Sequence, residues 1–206
     1  MACDKHGPLS GPAELCPVCL LEQALEPASV RDLIIQVPLG QGAETSVFLV
    51  RQEAPSPALL RLKVWRRRAP ASFLENLMEL ASRLEAAAEP AIVAPLAACL
   101  DADGCPAVLS GFRQGLPILQ CVGSGALPSA AALALLESLA PIIDRCHRAG
   151  LTHGSLVSGN VLVEPGGSAA FLVDFGLAAL FRGTSHADAA VADRAGLAAL
   201  AQAVRA

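Results

Sequence analysis

Apolar runs separated by polar turns dominate the chain from residue 31 to about residue 112. The runs 32–40 and 46–52 flank a Gly-rich turn, and a third run covers 59–65. Two further runs, IVAPLAACL and AVLSGF, surround the turn DADGCP. Short aliphatic and aromatic runs bounded by Gly, Pro and polar residues are typical of β-strands joined by hairpins. The pattern therefore predicts about five antiparallel strands in this half of the chain.

Apolar residues recur at helical spacing in two other stretches. Residues 71–88 place them on one face, and the long apolar stretch 129–149 is followed by Gly150, as in helices that end at a glycine. An Ala-rich helix is predicted at 191–206, and residues 177–190 before it are predicted to form a short polar loop. The second half of the chain is therefore expected to be mainly helical.

Residues 151–176 predict a short hairpin with polar residues at both outer ends. The loop HGSLVSGN is followed by the run VLV, a Gly-rich turn, the run FLV and then Asp174-Phe175-Gly176. Because two antiparallel strands bring the ends of a hairpin together, Asn160 and Asp174 are expected to converge. An amide oxygen beside a carboxylate suits a hard divalent cation such as Mg²⁺. This pair is therefore the candidate magnesium site.

Composition limits the class of protein. The 206 residues are 53% hydrophobic and 17% charged, which is too apolar for a disordered chain and enough for one domain with a core. The net charge of −4 gives no reason to expect nucleic acid or an anionic membrane as a partner. Neither a membrane span nor a signal peptide is visible, so a cytoplasmic location is expected.

The first 27 residues differ from the rest and are rich in Cys, His and Pro. Cys3 and His6 form one closely spaced pair, and Cys16 and Cys19 form a second. Two such pairs can supply the four ligands of a structural zinc ion, which would leave no open position for catalysis. A mobile, reduced tail with incidental cysteines is the alternative. Seven cysteines without a secretory signal make a disulfide framework an unlikely use of these thiols.

Two glycines and a lysine in the first half of the chain form a candidate phosphate-binding site. The turn after the first strand carries Gly40 and Gly42, and glycines allow backbone N–H groups to approach phosphate closely. Lys63 lies in the third predicted strand and is the only lysine after Lys5. The arginine run 66–68 is predicted to be a solvated turn.

The order of these features resembles the bacterial Ser/Thr protein kinases of the eukaryotic-like type, over roughly residues 31–200. A Gly-x-Gly hairpin, a strand with Lys, a helix with Glu, two strands and a long helix precede an H-x-x-L-x-x-x-N loop and a D-F-G sequence. The resemblance implies an α+β, protein kinase-like bilobal fold. It comprises an antiparallel-sheet N-lobe at about 31–110, a hinge near 109–115 and a reduced helical C-lobe at about 116–206.

The resemblance also implies roles for individual residues. Gly40 and Gly42 correspond to the Gly-rich loop, in which Thr45 stands in place of the third glycine, and Val47 to the valine over the base. Lys63 corresponds to the phosphate-anchoring lysine. The remaining implied site residues are Glu79 as the lysine's partner, with Glu75 as the less suitable alternative, His153 as a structural residue, and Asn160 and Asp174 as Mg²⁺ ligands.

Several departures fall on the chemistry of phosphoryl transfer. Ser155 stands where the family has its catalytic Asp, and a hydroxyl cannot act as a base near neutral pH. Val157 replaces the Lys that neutralises the transferred phosphoryl group, and Gly154 replaces the Arg that pairs with an activation-loop phosphate. Arg61 stands where a small Ala lines the adenine pocket.

The C-terminal part is shorter than the resemblance implies. Residues 192–200 resemble the start of the central C-lobe helix, with Asp193 at its aspartate. The helices that normally dock peptide substrates are absent from the sequence, and one side of the final apolar helix is expected to be uncovered. A protein partner or self-association is therefore expected.

Three functions remain open on this basis. The favoured one is a pseudokinase that binds ATP with Mg²⁺ through Gly40, Gly42, Lys63, Asn160 and Asp174 and has a regulatory or scaffolding role. A weakly active Ser/Thr protein kinase is the first alternative, since phosphoryl transfer depends mostly on positioning and charge. The second is a small-molecule kinase of the aminoglycoside phosphotransferase type, whose loop Gly154 and Gly159 fit but Ser155 does not.

Overall fold

The computed structural model describes residues 2–3, 7–8, 31–54 and 56–206. It divides into two compact units, which are considered separately. Unit 1 comprises Met1–Leu74 with Pro95–Phe112, and unit 2 comprises Glu75–Ala94 with Arg113–Ala206. The predicted helix at 71–88 was expected in the N-lobe, whereas most of it groups with unit 2. The lobe boundaries remain a prediction.

Unit 1 is a β-structure. Its strands are β1 (Ala2–Cys3), β2 (Gly7–Pro8), β3 (Arg31–Gln41), β4 (Thr45–Ala54), β5 (Ala58–Trp65), β6 (Pro95–Leu100) and β7 (Pro106–Gly111). Among the described residues, β1 and β2 form a two-stranded pair, and the other five form one antiparallel sheet in the order β3-β4-β5-β7-β6. The five predicted antiparallel strands are confirmed.

Alternation along the strands explains the core of unit 1. Side chains at every second position point to one face of a sheet, so that face becomes apolar when the sequence alternates. The buried residues on this face are Leu33, Ile35, Phe48, Val50, Leu60, Leu62, Ala97, Cys99, Ala107 and Leu109. In β5, Leu60 and Leu62 therefore point into the core, and Arg61 and Lys63 point to the opposite face.

Unit 2 is mainly helical and contains one small sheet. Its elements are α1 (Phe73–Ala87, whose first two residues belong to unit 1), β8 (Leu116–Pro117), α2 (Ile118–Gly123), α3 (Ser129–Arg148), a 3₁₀ turn (Ser158–Asn160), β9 (Val161–Val163), β10 (Ala170–Leu172), α4 (Leu177–Arg182) and α5 (His186–Arg205). The sheet order is β10-β9-β8 and its pairs are antiparallel. The predicted hairpin is thus formed by β9 and β10.

Helix α3 ends as its sequence predicts. Gly150 has a φ of 72°, a conformation that glycine adopts without steric cost. The N–H groups of Ala149 and Gly150 donate to the carbonyls of Arg145 and His147, 3.1 and 3.0 Å away. The Arg145 side chain also binds Glu89 through Nε and Nη2, at 2.7 and 3.0 Å, which ties α3 to the segment after α1.

The predicted polar loop at 177–190 is wrong. The structure has the six-residue helix α4 there, and α5 already begins at His186. Helix α4 forms because Leu177 and Phe181 are buried on one face. Helix α5 begins early because Ser185 caps it, its Oγ accepting a hydrogen bond from the Asp188 N–H at 3.2 Å.

The four cysteines whose side chains the structure describes are thiols. Cys99, Cys105, Cys121 and Cys146 form no disulfides. Burial is the main cause that raises the pKa of Cys99 to about 12 and that of Cys146 to about 11. These two thiols are therefore inert side chains of the core. In the part of the chain that the structure describes, no helix has the length and apolar character needed to cross a membrane.

Candidate functional site

A buried carboxylate in α5 anchors the loop that leads to the candidate magnesium site. Asp193 is completely buried. It accepts hydrogen bonds from the backbone N–H groups of His153 and Gly154, at 2.8 and 2.7 Å, and lies 3.0 Å from Nε2 of His147. A carboxylate that receives several N–H donors satisfies both itself and them. Asp193 thus fixes the backbone at the start of the loop.

A glycine allows α5 to approach the same loop closely. A Cβ atom at Gly196 would lie 2.5 Å from the carbonyl oxygen of Leu156. Because a backbone atom cannot easily move aside, the packing of α5 against the loop requires glycine here. A glycine inside a helix costs about 1 kcal/mol relative to alanine, so its presence in α5 was a sequence signal for close packing.

His153 lies in the buried interior of unit 2, and its implied structural role remains a prediction. Its side chain is fully buried, and its ring centroid lies 5.2 Å from that of Phe175. Burial lowers the pKa of His153 below its usual value, while the charges of Asp193 and Asp174 oppose this shift. The ring is therefore neutral near pH 7, and its Nδ1 accepts a hydrogen bond from the Ser155 N–H at 3.3 Å.

The loop and the hairpin bring Asn160 next to Asp174 along the backbone. Asn160 Nδ2 donates to the Ser155 carbonyl at 2.9 Å, and the Asn160 N–H donates to the Val157 carbonyl at 2.9 Å. The Asn160 carbonyl in turn accepts from the N–H of Val173, the residue before Asp174, at 3.1 Å. The hydrogen bond to the Ser155 carbonyl uses the Nδ2 group of Asn160 and so fixes the orientation of the side-chain amide. Its Oδ1 atom is the oxygen that could bind a cation.

Asp174 adopts a backbone conformation that few residues tolerate. Its φ is 60°, in the left-handed region, where Asp and Asn are the commonest residues other than glycine. Gly176, two residues further along the chain, has a φ of 75°, and a Cβ atom there would lie 2.5 Å from Cδ2 of Leu80. Both Asp174 and Gly176 are therefore constrained by local structure as well as by chemistry.

The donor set at this point fits Mg²⁺. Asn160 Oδ1 and the carboxylate of Asp174 are hard oxygen ligands, and magnesium commonly takes one or two carboxylates and completes its shell with water and phosphate. Asp174 is buried but not sealed from solvent, with 8% of its surface exposed. These residues would hold the cation, and its charge would neutralise phosphate oxygens.

The two substituted positions beside the loop differ in their surroundings. Gly154 has a φ of 77°, and a Cβ atom there would lie 2.8 Å from Cβ of Ala179. Its carbonyl accepts a hydrogen bond from Arg182 Nη2 at 2.5 Å. Val157 is half-exposed, and its side chain is uncharged. Packing by Ala179 therefore excludes any larger residue at position 154 without rearrangement.

The glycine turn of unit 1 lies between β3 and β4. Gly40 is paired with Val47, and the Gly42 N–H donates to the Thr45 carbonyl at 2.8 Å. Neither glycine has a positive φ, and a Cβ atom at Gly40 would meet nothing within 4 Å. The turn conformation itself therefore does not require a glycine at position 40.

Lys63 and Arg61 share the sheet face opposite the core. The ladder places Lys63 opposite Val47 on one side and Val108 on the other. Lys63 Nζ lies 4.9 Å from the ring centroid of Trp65, within the range of a cation–π interaction. This face thus combines two cations with Val47, the residue expected over a base.

Glu79, the predicted partner of Lys63, lies near an arginine of its own helix. Glu79 Oε1 lies 3.8 Å from Nη1 of Arg83, one helical turn away, and both side chains are exposed. Arg83 Nη2 donates to the Ala149 carbonyl at 2.6 Å. The predicted pairing of Glu79 with Lys63 remains a prediction.

The arginine run 66–68 is exposed, as predicted, but each side chain has a specific partner. Arg66 binds the glycine turn through Gly42, Ala43 and Ser46. Arg67 lies 4.0 Å from Glu44, and Arg68 Nε donates to the Asp103 carbonyl at 2.9 Å. Sequence reasoning missed these contacts because the partners are 20 or more residues away and no periodic pattern marks them.

The predicted zinc leader falls mostly outside the described residues. His6, Cys16 and Cys19 are not described, and only the backbone of Cys3 is, in β1. Within the described ranges, no group of three or more His, Cys, Asp or Glu side chains is placed to hold a metal ion. The zinc site remains a prediction.

Comparison with solved structures identifies the fold. The chain is similar to a crystal structure of Rad53 1-466 in complex with AMP-PNP, with a TM-score of 0.66 and 19% sequence identity. The similarity covers 82% of this chain and 47% of that chain, so this chain spans about half of the Rad53 chain. No protein-family model and no curated protein matches the sequence. The chain has a protein kinase-like α+β fold, as the sequence predicted.

Proposed function

We propose that this chain is a pseudokinase that binds ATP with Mg²⁺ and has a regulatory or scaffolding role in a bacterial cytoplasm. The observation that carries the proposal is the pair Asn160 and Asp174, which retains its oxygen ligands beside a loop that has Ser155 at the position of the base. A serine hydroxyl does not take up a proton near neutral pH, whereas a general base typically contributes about 10²–10⁴-fold to rate. The proposed Mg²⁺ ligands are therefore kept, while the carboxylate that would act as the general base is replaced by a hydroxyl.

Within unit 2, the proposed Mg²⁺ ligands are Asn160 and Asp174. Within unit 1, the candidate phosphate-binding groups are the glycine turn and Lys63, whose ammonium suits a phosphate and whose sheet face also carries Val47. The Rad53 structure contains AMP-PNP, an ATP analogue, which supports a nucleotide as the ligand class for this fold.

Thermal denaturation with ATP, in the presence and absence of Mg²⁺, tests this proposal. A ligand at 100 times its Kd stabilises the native state by about 2.7 kcal/mol, which for a chain of this size raises the Tm by roughly 5–10 °C. We expect such a rise with ATP and Mg²⁺. Asp174→Asn should remove the Mg²⁺-dependent part, since Asn tolerates the left-handed φ but lacks the charge. Asp188→Asn, at an exposed acid whose carboxylate accepts a hydrogen bond from Ser185 Oγ, is the matched control and should keep the wild-type Tm rise with ATP and Mg²⁺.

Absence of any Tm rise at millimolar ATP and Mg²⁺ would contradict nucleotide binding and leave a scaffold without a ligand. A rise that Asp174→Asn does not reduce would contradict the assignment of the Mg²⁺ site.

A weakly active protein kinase is the second candidate, and the anchoring by Asp193 favours it. Because Asp193 holds the backbone of His153 and Gly154, the neighbouring position 155 is also held in place. Ser155→Asp would then restore a carboxylate where the resemblance places the base. Gain of ATP-dependent autophosphorylation in Ser155→Asp, measured with labelled ATP, would identify the missing base as the main defect. Continued inactivity would point to Val157 or Arg61 as further obstacles.

Self-association through α3 and α5 is proposed as part of the scaffolding role. A groove of about 350 Å³ between these helices has Glu137 and Asp144 on the α3 side and Arg194 and Arg205 on the α5 side. A two-fold axis would place the carboxylates of one copy opposite the guanidinium groups of the other. Light scattering after size-exclusion chromatography should show a dimer that Arg194→Glu dissociates. A monomer at all concentrations would contradict self-association.

A further inference from the structure

The glycine turn is held by one side chain from the end of β5. Arg66 Nη1 donates to the carbonyls of Gly42 and Ala43, at 3.2 and 3.0 Å, and Nη2 donates to Ser46 Oγ at 2.7 Å. The Arg66 backbone N–H donates to the Glu44 carbonyl at 2.9 Å. A single residue therefore contacts four of the five residues from Gly42 to Ser46.

These contacts determine which way the peptide groups of the turn face. In a planar trans peptide, the C=O and N–H bonds point in opposite directions. Since the carbonyls of Gly42 and Ala43 point at Arg66, the N–H groups of Ala43 and Glu44 point away from it. Successive backbone N–H groups on one side of a turn form an anion-binding concavity.

We propose that Arg66 is a positioning residue that holds the Ala43 and Glu44 N–H groups in the orientation that binds the phosphates of a nucleotide. The inference rests on the proposed nucleotide binding and adds the residue that prepares the turn for it. Guanidinium suits this role because its planar fork carries five donors in a fixed geometry, enough for two carbonyls and a hydroxyl at once.

The strand that ends directly before Arg66 carries Lys63. The β4–β5 ladder pairs Lys63 with Val47 and Trp65 with Thr45, so the lysine and the turn are held on the same two strands. Arg66 follows Trp65 directly, so its side chain starts beside the last residue pair of the ladder and reaches the carbonyls of the turn. One strand thus sets the position of the lysine and the direction of the turn amides.

Arg67 provides a matched control. It is the next residue, carries the same charge and lies 4.0 Å from the Glu44 carboxylate, with both side chains more than half exposed. Exposed ion pairs at this distance contribute little. Arg67→Gln therefore removes a cation from the same turn while the contacts of Arg66 to the turn carbonyls remain.

Amide hydrogen exchange without nucleotide tests the clamp directly. In Arg66→Gln, exchange of the Gly42 backbone amide, which donates to the Thr45 carbonyl at 2.8 Å, should be about 10-fold faster than in the wild type, because several hydrogen bonds that hold the turn are lost. Arg67→Gln should change this rate less than about 2-fold. Equal rates in Arg66→Gln and wild type would overturn the proposal.

Calorimetric titration with ATP and with adenosine tests the role in binding. Arg66→Gln should weaken ATP about 10-fold but leave adenosine within about 2-fold, since the turn acts on phosphates. Arg66→Lys should also weaken ATP, because Lys keeps the charge but lacks the fork. Wild-type affinity in Arg66→Lys, or equal losses for ATP and adenosine, would overturn the positioning role. If the wild type binds no ATP, the proposed function fails, and the exchange rates still decide whether Arg66 holds the turn.

Discussion

The loop at 152–160 and the glycine turn at 40–46 are both held by side chains from other elements, but those side chains differ in burial. The loop is held by Asp193, which is completely buried and receives N–H donors from His153 and Gly154. The turn is held by Arg66, which is exposed to solvent. The strength of a polar contact depends on how well water can replace it, so the two loops differ in how firmly they are fixed.

This difference separates stability from ligand binding. Around the loop, the groups that orient Asn160 and Asp174 also belong to the buried structure of unit 2, so their loss should destabilise it. Around the turn, the glycines and Arg66 can be changed while the apolar face of the sheet stays intact. Substitutions in unit 2 should therefore change the free energy of unfolding, and those in the turn should change affinity.

The largest expected effect is that of Asp193→Ala. This substitution leaves the His153 and Gly154 N–H groups buried without their acceptor, and removing one member of a buried polar set typically costs about 3–5 kcal/mol. The free energy of unfolding from urea titration should fall by that amount. Asp188→Ala in the same helix is the control, and its exposed carboxylate should account for about 1 kcal/mol or less. Equal losses in the two variants would contradict the anchoring role.

Gly154→Ala should lower the free energy of unfolding by about 2–3 kcal/mol. The left-handed φ of 77° costs an alanine roughly 1–2 kcal/mol, and the contact of its Cβ with Ala179 adds to this. Urea titration measures the loss. Gly183→Ala is a close control, because its φ is 62° but a Cβ atom there would meet nothing within 4 Å. It should show the conformational cost alone.

A double-mutant cycle isolates the contact term. Combining Gly154→Ala with Ala179→Gly removes the Cβ atom that an alanine at 154 would meet, so the double mutant should be more stable than the sum of the single losses by about 1 kcal/mol. Strict additivity would mean that the Ala179 Cβ atom does not limit position 154; the backbone N and Cα of residue 179, 3.1 and 3.3 Å from a Cβ atom at 154, remain in both proteins.

The sequence predicted the fold well because most of it is encoded by local patterns. Short apolar runs bounded by turns predicted the strands, and glycine marked the end of α3 at Gly150. The hairpin of β9 and β10 followed from two short apolar runs around a turn, and the structure places Val173 against the backbone of Asn160. Features set by neighbours in sequence were therefore accessible.

Features that depend on distant partners were not predicted. The six residues of α4 are too few to show a helical period, and the helix exists because Leu177 and Phe181 are buried. The role of Arg66 depends on carbonyls 23 and 24 residues away, and an arginine run looks the same in sequence whether or not it has such partners. Gly196 in α5 did carry a signal, because helices rarely keep a glycine without a packing reason.

The pH dependence of stability should contain a contribution from His153. Burial lowers its pKa in the folded state, whereas the unfolded side chain has a pKa near 6.5. As the pH falls below about 6.5, the His153 side chain binds more protons in the unfolded state than in the folded state, so the free energy of unfolding decreases. The wild type should therefore lose stability between pH 7 and 5.5.

His153→Phe should be less sensitive to acid than the wild type over this range, as measured by urea titration at several pH values. Asp193 and Asp174 are the charges near the ring, and both remain in the variant. His186→Gln, at an exposed histidine, should keep the wild-type dependence. An unchanged pH dependence in His153→Phe would show that His153 is not the group responsible.

The smallest effect on stability, and the sharpest contrast between the two loops, is expected for Gly40→Ala. A Cβ atom at Gly40 meets nothing within 4 Å and the residue does not need a positive φ. The free energy of unfolding should therefore stay the same or rise by up to about 1 kcal/mol, because alanine restricts the unfolded chain. The affinity for ATP, measured by calorimetry, should nevertheless fall, since a methyl group at this position would prevent close approach of the backbone to phosphate. A stable Gly40→Ala protein with unchanged ATP affinity would show that the turn does not cover the phosphates, whatever holds its conformation.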